Sequence, residues 1–434
     1  MIKRILYTLL IMFPVLASAQ INTDRVMAIG RNALYFEDYV LSIQYFNQVI
    51  NAKPYLSDPY FYRGLAKINL DDFQGAESDC SEAIERNPFV VSAYQVRGLA
   101  RIQQNNFAGA IEDYTKALEF DPENIGVWHN MALCRIRQED YKGAKNDLDK
   151  LIAISPRYTK AYLMRGEVDL KQKDTLAAEK DFGKAIEIDR YDADTWASRA
   201  ILRLQQQRYK DAEADFDHAI RLSTRNSGVY INRALARYHQ NNLRGAMSDY
   251  DIALDIDPNN FIGHYNRGLL RAQVGDDNRA IQDFNFVIEM EPDNMMAIFN
   301  RGLLLDQTGD YKGAIKDYST VINEYPNFLL GYQYRAQARR KIGDVKGADA
   351  DEFKVLKAQL DKQNGVDPNK QTADNTENNK TRKKSDKNMN NYRKIVVADN
   401  EEGEEKYKSD YRGRVQDKNV NIVPQPMFVL TYYE

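Results

Sequence analysis

Between residues 23 and about 360, apolar positions fall in short stripes at helical spacing, broken by polar turns, and the figure returns every 34 residues. One copy, "FNRGLLLDQTGDYKGAIKDY" at 299–318, shows it whole: an apolar stripe, a Gly-Asp turn and a second stripe. Positions in step with Gly302 hold Gly30, Gly64, Gly98, Ala132, Gly166, Ala200, Ala234, Gly268 and Ala336, a slot for small residues in ten successive units. Four residues earlier the chain places Tyr60, Tyr94, Trp128, Tyr162, Trp196, Tyr230, His264 and Tyr332, with Ile298 in the ninth unit. Twelve residues after the small slot stand Ser42, Ala76, Ala110, Ala144, Ala178, Ala212, Ala246, Ala280, Ala314 and Ala348. Four further on comes a large apolar slot: Phe46, Cys80, Tyr114, Leu148, Phe182, Phe216, Tyr250, Phe284 and Tyr318, slipping to Phe353 in the last unit.

Each unit is therefore expected to be two helices around a tight turn. Small residues let the pair approach closely where a larger side chain would hold it apart. Pro54, Pro88, Pro122, Pro156, Pro258, Pro292 and Pro326 close seven of the ten units, because proline lacks an N–H and steers its predecessor out of the helical region. Arg190, Thr224 and Leu360 stand in that slot elsewhere. A single unit leaves one face uncovered, so neighbours must stack.

This order of slots resembles the tetratricopeptide repeat (TPR) family over residues 23–360. The resemblance implies an all-α fold, a right-handed superhelical α-solenoid of about ten helix-turn-helix units whose first helices line a concave groove for a partner segment. On that geometry the groove residues are Phe61, Leu65, Gln95, Leu99, His129, Leu133, Ile231, Leu235, Tyr238, Tyr265, Phe299 and Leu303. The competing reading is that this stripe packs between neighbouring first helices.

The chain departs from the family pattern just before the small slot, where an apolar residue is usual. Here stand Arg63, Arg97, Arg165, Arg199, Arg233, Arg267, Arg301 and Arg335, and sixteen residues after each comes an acid: Asp79, Asp113, Asp181, Asp215, Asp249, Asp283, Asp317 and Asp351. In the first unit both slots are apolar together, Ile29 and Tyr45, which implies contact within a unit. In the fourth, Met131 faces Asp147, which then needs Arg135 or Arg165. A guanidinium fork fits a carboxylate bidentately, and a half-buried charge without a partner is costly. Eight copies point to a structural ladder; a catalytic site needs one special constellation.

Charge and composition add exclusions. The 60 basic and 63 acidic residues are spread evenly, giving a formal charge of −3 and no basic stripe for nucleic acid. Four histidines lie in four different units, and no zinc, phosphate-loop or nucleophile motif occurs, so no cofactor, no metal and no enzyme activity is expected. Cys80 and Cys134 fall in small or apolar slots two units apart and are expected to be buried thiols. The 28 tyrosines largely fill aromatic slots, although Phe61, Tyr265 and Phe299 leave a glycan- or peptidoglycan-binding protein as the alternative.

Residues 1–19, "MIKRILYTLLIMFPVLASA", pair Lys3 and Arg4 with a short apolar run and Ala17-Ser18-Ala19, the form of a signal peptide cleaved after Ala19. The domains expected are this signal, a solenoid at 20–361, a disordered Asn- and Lys-rich linker at 362–391 and a β-prone tail at 392–434. Lys380, Arg382, Lys383, Lys384 and Lys387 make peripheral membrane contact through 380–394 an open reading. The uncharged "MFVLTYY" at the end is expected to dock on the last repeat, the chain's own groove or a partner sheet, since exposed it would aggregate. Together these features predict a non-catalytic protein-interaction scaffold in the periplasm or envelope of a Gram-negative bacterium, its protein partner unidentified.

Overall fold

The computed structural model describes residues 22–222, 225–363 and 388–398. The expected signal, most of the linker and residues 399–434, including "MFVLTYY", lie outside the described residues. Among those described there are twenty α-helices, one short 3₁₀ turn and no strand.

The chain divides at Asp174/Thr175 into two compact units. Unit 1 holds α1 (Thr23–Tyr35), α2 (Tyr39–Ala52), α3 (Asp58–Ile68), α4 (Phe73–Arg86), α5 (Val91–Gln103), α6 (Phe107–Phe120), α7 (Ile125–Arg137), α8 (Tyr141–Ile154) and α9 (Thr159–Lys171). Unit 2 holds α10 (Thr175–Ile188), α11 (Ala193–Gln205), α12 (Tyr209–Arg221), α13 (Ser227–His239), α14 (Leu243–Ile256), α15 (Phe261–Gln273), α16 (Asp277–Met290), α17 (Met295–Gln307), α18 (Tyr311–Glu324), α19 (Leu329–Lys341) and α20 (Val345–Gln363), followed by the 3₁₀ turn Met389–Asn391. Within each unit every helix packs on the next, and α1 also touches α3, α3 touches α5, α11 touches α13, and α17 touches both α15 and α19.

Local chemistry sets these boundaries. The turn inside a unit needs one residue in the left-handed region at the same place each time, filled by Glu37, Asp71, Asn105, Glu139, Lys173, Gln207 and Asn241 and then by Gly275, Gly309 and Gly343. Except at Arg208 and Asp276, which make no such bond, a following Asp or Asn caps the second helix, as where Asp72 accepts from the Gly75 amide at 2.9 Å and Asp310 from Gly313 at 3.0 Å. The small slot then meets the large one. A Cβ added at Gly302 would lie 2.9 Å from the Tyr318 ring, and one at Gly98 2.8 Å from Tyr114. Phe46, Cys80, Tyr114, Leu148, Phe182, Phe216, Tyr250, Phe284 and Tyr318 are all fully buried, each large ring contributing about 1.5–3 kcal/mol of burial.

The last unit differs from expectation. Phe353 is 66% exposed and does not take the large slot, because one residue along a helix rotates the side chain by about 100°. Glu352 stands in that slot instead. With Leu360 where other units have proline, α20 runs on to Gln363, past the expected end of the solenoid. The expected linker also ends early, since Met389–Asn391 is an ordered turn with Met389 buried.

Candidate functional site

The Arg and Asp slots meet within units. Arg63, Arg97, Arg199, Arg233, Arg267, Arg301 and Arg335 each donate through Nε to the carboxylate sixteen residues on, at 2.8–3.2 Å. A second nitrogen completes a fork, as from Arg301 Nη2 to Asp317 at 2.7 Å. Arg165 and Asp181, of one repeat, fall on either side of the division into the two compact units.

The same guanidinium reaches back to the preceding second helix. Arg63 bonds Asn47, Arg97 bonds Ser81, Arg165 bonds Asp149, Arg233 bonds Asp217 and Arg301 bonds Asn285, at 2.6–3.1 Å. The aromatic slot lies beneath it: Arg guanidinium carbons sit 5.0–5.7 Å from the ring centres of Tyr60, Tyr94, Tyr162, Trp196, Tyr230 and Tyr332. Arg63, Arg97 and Arg233 thus fix the rotation of their first helices against two second helices and one ring, while Arg199 has Gly183 at the reach-back position and Arg301 has Ile298 in the ring slot.

A second ion-pair series ties one unit to the next. Arg101 meets Glu77 at 2.8 Å, Arg203 meets Glu179 at 3.2 Å and Arg237 meets Glu213 at 2.8 Å. Two repeats on from Glu77 and Arg101 the signs are exchanged, and Lys145 pairs with Asp169.

Burial and pairing set the charge states. Burial pushes Asp283 up, but His264, Arg267 and Arg271 outweigh it and hold the carboxyl below its ordinary value. Asp147 faces Met131 in place of a ladder arginine. It has Arg135 at 2.9 Å, poorly aligned for a hydrogen bond, and burial pushes its carboxyl up to about 7. Both cysteines are buried and free, and burial pushes the Cys134 thiol up to about 12.

The residue before the ladder arginine is the one sequence reasoning missed. In three successive first helices of unit 2 it is Asn232, Asn266 and Asn300, on α13, α15 and α17. With the arginine locked toward the second helices, the asparagine, about 100° away, turns to the inner face. There the row holds residues 388–398 of the same chain. Asn232 Nδ2 donates to the Ala398 carbonyl at 3.1 Å, and the Ala398 amide donates back to Oδ1 at 2.9 Å. Asn266 makes the same pair with Val396, at 2.7 and 2.9 Å. Asn300 donates to the Tyr392 carbonyl, which also accepts from Tyr265 Oη at 2.7 Å.

A carboxamide carries one acceptor and one donor side, so it matches the N–H and C=O of a single residue. Residues two apart in an extended chain present those groups to the same side, which is why Val396 and Ala398 are read while the residues between them are not. The segment runs against the order of the repeats, from α17 at Tyr392 to α13 at Ala398. Of the β-prone tail expected over 392–434, the described residues 392–398 form no strand and pair with side chains instead.

Apolar contacts complete the seat. The Tyr392 ring stands edge-on to Phe299 at 4.8 Å, in a cluster with Met389 and Tyr265. Val397 packs with Leu204, Phe216 and Leu235, and Ala398 with Ile231. Among the described residues, open spaces lie beside the segment. One of about 390 Å³ is lined by Tyr238, Leu269, Gln273, Leu303 and Gln307 with Arg393 and Ile395 of the segment. Another of about 180 Å³ lies beside Val397, against Leu204, Tyr209 and His239.

Of the expected groove residues, Ile231, Leu235, Tyr238, Tyr265, Phe299 and Leu303 surround this segment in unit 2. Phe61, Leu65, Leu99, His129 and Leu133 are buried within unit 1, and Gln95 is half-buried there. Phe61, Tyr265 and Phe299, the rings a sugar face would stack on, are no more than 8% exposed. Positions in step with Asn300 in unit 1 are Ala28, Tyr62, Val96, Asn130 and Met164, so unit 1 has one asparagine in this slot and only unit 2 has three in succession. The missed signal was therefore in the sequence: asparagine recurring three times at a step of 34.

Known proteins place this architecture. A TPR repeat model matches residues 98–134, and tetratricopeptide repeat models match 125–158, 159–192, 198–261 and 265–327. No curated protein sequence matches the chain. Among solved structures, a tetratricopeptide repeat protein from Parabacteroides merdae is 21% identical, with 57% of this chain and 98% of that one covered at a TM-score of 0.45. The C-terminal part of a TPR repeat-containing protein from Cytophaga hutchinsonii is 18% identical, covering 55% and 97% at 0.46. YrrB, a TPR protein with an unusual peptide-binding site, is 20% identical, covering 42% and 95% at 0.36. With the family models matching in succession from residue 98 to residue 327, the chain belongs to the tetratricopeptide repeat family.

Proposed function

We propose that this protein is a non-catalytic scaffold of the bacterial cell envelope that holds an extended segment of a partner protein in the inner face of unit 2. TPR proteins generally mediate protein–protein interactions. The observation that carries the finer reading is the two-way pairing of Asn232 and Asn266 with alternate main-chain residues. Groups that read N–H and C=O select a peptide in extended form and place few demands on its side chains. Export rests on the signal-like residues 1–19. Among the described residues, no helix is long and apolar enough to cross a membrane.

A photo-reactive amino acid at Tyr238 or Leu303 in intact cells, followed by mass spectrometry, tests this reading. One envelope protein captured through a defined peptide, and lost in N232A/N266A, is the expected result. Capture that is insensitive to both asparagines would remove the groove from the function. Fractionation with N-terminal sequencing tests the location, the expected mature start being Gln20.

A further inference from the structure

Residues 388–398 occupy their seat incompletely. Their main chain is fully matched at Val396 and Ala398, yet about 390 Å³ stays open beside Ile395 and about 180 Å³ beside Val397. The larger space has apolar walls from Leu269, Leu303 and Phe284, with Tyr238, Gln273 and Gln307 as polar partners. Such a space is large enough for an aromatic side chain, which would take its apolar surface and that of the walls out of water.

We propose that residues 392–398 are a displaceable internal mimic of the partner. On this inference, which rests on the reading above, the natural ligand is an extended protein segment following the same path. It carries an aromatic residue at the Tyr392 position, small or β-branched residues at 396 and 398, and a bulky aromatic residue in place of Ile395. Main-chain pairing is common to both occupants and cancels in the exchange. The side chain at 395 decides which occupant wins, and the chain's own segment keeps the groove closed to extended peptides that lack it.

The probe is a fluorescein-labelled peptide of residues 388–398, "NMNNYRKIVVA", and its I395W form, titrated against the full chain by anisotropy. A V396P/A398P chain lacks the two segment amides that Asn266 and Asn232 bind, so its groove is vacated without touching any helix, and unchanged helical circular dichroism verifies this. Both peptides are expected to bind that chain more tightly than wild type, and I395W is expected to exceed the native sequence by about tenfold on either chain. Peptides carrying proline at 396 and 398 are expected to lose binding.

Equal or weaker binding of I395W, with the native peptide still bound to the vacated chain, overturns the mimic and leaves the peptide groove standing. Failure of both peptides on the vacated chain overturns both. Concentration-dependent dimers of wild type that vanish in V396P/A398P make the occupant a second copy of this chain, and also overturn the proposal.

Discussion

Asn232 and Ala398 are 166 residues apart, and the carboxamide of one satisfies both main-chain groups of the other. Asn232 is fully buried beneath the segment, so an occupant that covered it without the matching main-chain groups would leave its carboxamide unpaired, at a cost of about 1–3 kcal/mol. Asn266 and Val396 repeat the relationship one helix pair along. The row depends on the neighbouring ladder, since Arg233 and Arg267 fix the rotation that turns each asparagine inward.

The ladder predicts coupling. Asp317 is 3% exposed, so R301I leaves a buried carboxylate without its fork and is expected to cost about 3–5 kcal/mol. D317Y strands the guanidinium in turn. Converting both, to the Ile29 and Tyr45 of the first unit, is expected to cost less than the sum, read from urea unfolding of the two single variants and the double. Additive costs would mean that the contact does not couple the two slots.

The exchanged pair predicts a register between units. K145E or D169R alone sets like charges together beneath a helix contact and is expected to destabilise unit 1. The double variant recreates the Glu179–Arg203 arrangement and is expected to recover most of the loss. Unfolding followed by Trp128, the tryptophan of unit 1, reads this in a W196F background.

Asp147 predicts a pH dependence. Its folded value of about 7 lies above the ordinary carboxylate value, so between about pH 4 and 7 the folded state keeps a proton that the unfolded state has lost. Stability of unit 1 therefore falls as pH rises through that window. D147N removes the titration, so it is expected to raise the Trp128 unfolding midpoint at pH 8 and to change it little at pH 4. An equal effect at both pH values would contradict the assignment.

Helix pairs, turns and core were legible because the 34-residue step fixes which residues meet: Gly302 with Tyr318 and Arg301 with Asp317 follow from spacing alone. Phe353 was not, since in the final unit no step onward checks the register. The helical stripe named an apolar face, and six of its residues surround the chain's own segment at 392–398. The asparagines were not legible, because a periodic polar residue beside a periodic arginine passes for a solvated face. Their partners lie up to 166 residues away, beyond any local pattern.

Residue-resolved hydrogen exchange on the full chain, by mass spectrometry with electron-transfer fragmentation, tests the main-chain claim most directly. Slow exchange is expected at Val396 and Ala398 and fast exchange at Ile395 and Val397, with N232A releasing Ala398 and N266A releasing Val396. Uniformly fast exchange across 395–398, or protection that survives loss of both asparagines, would contradict the account.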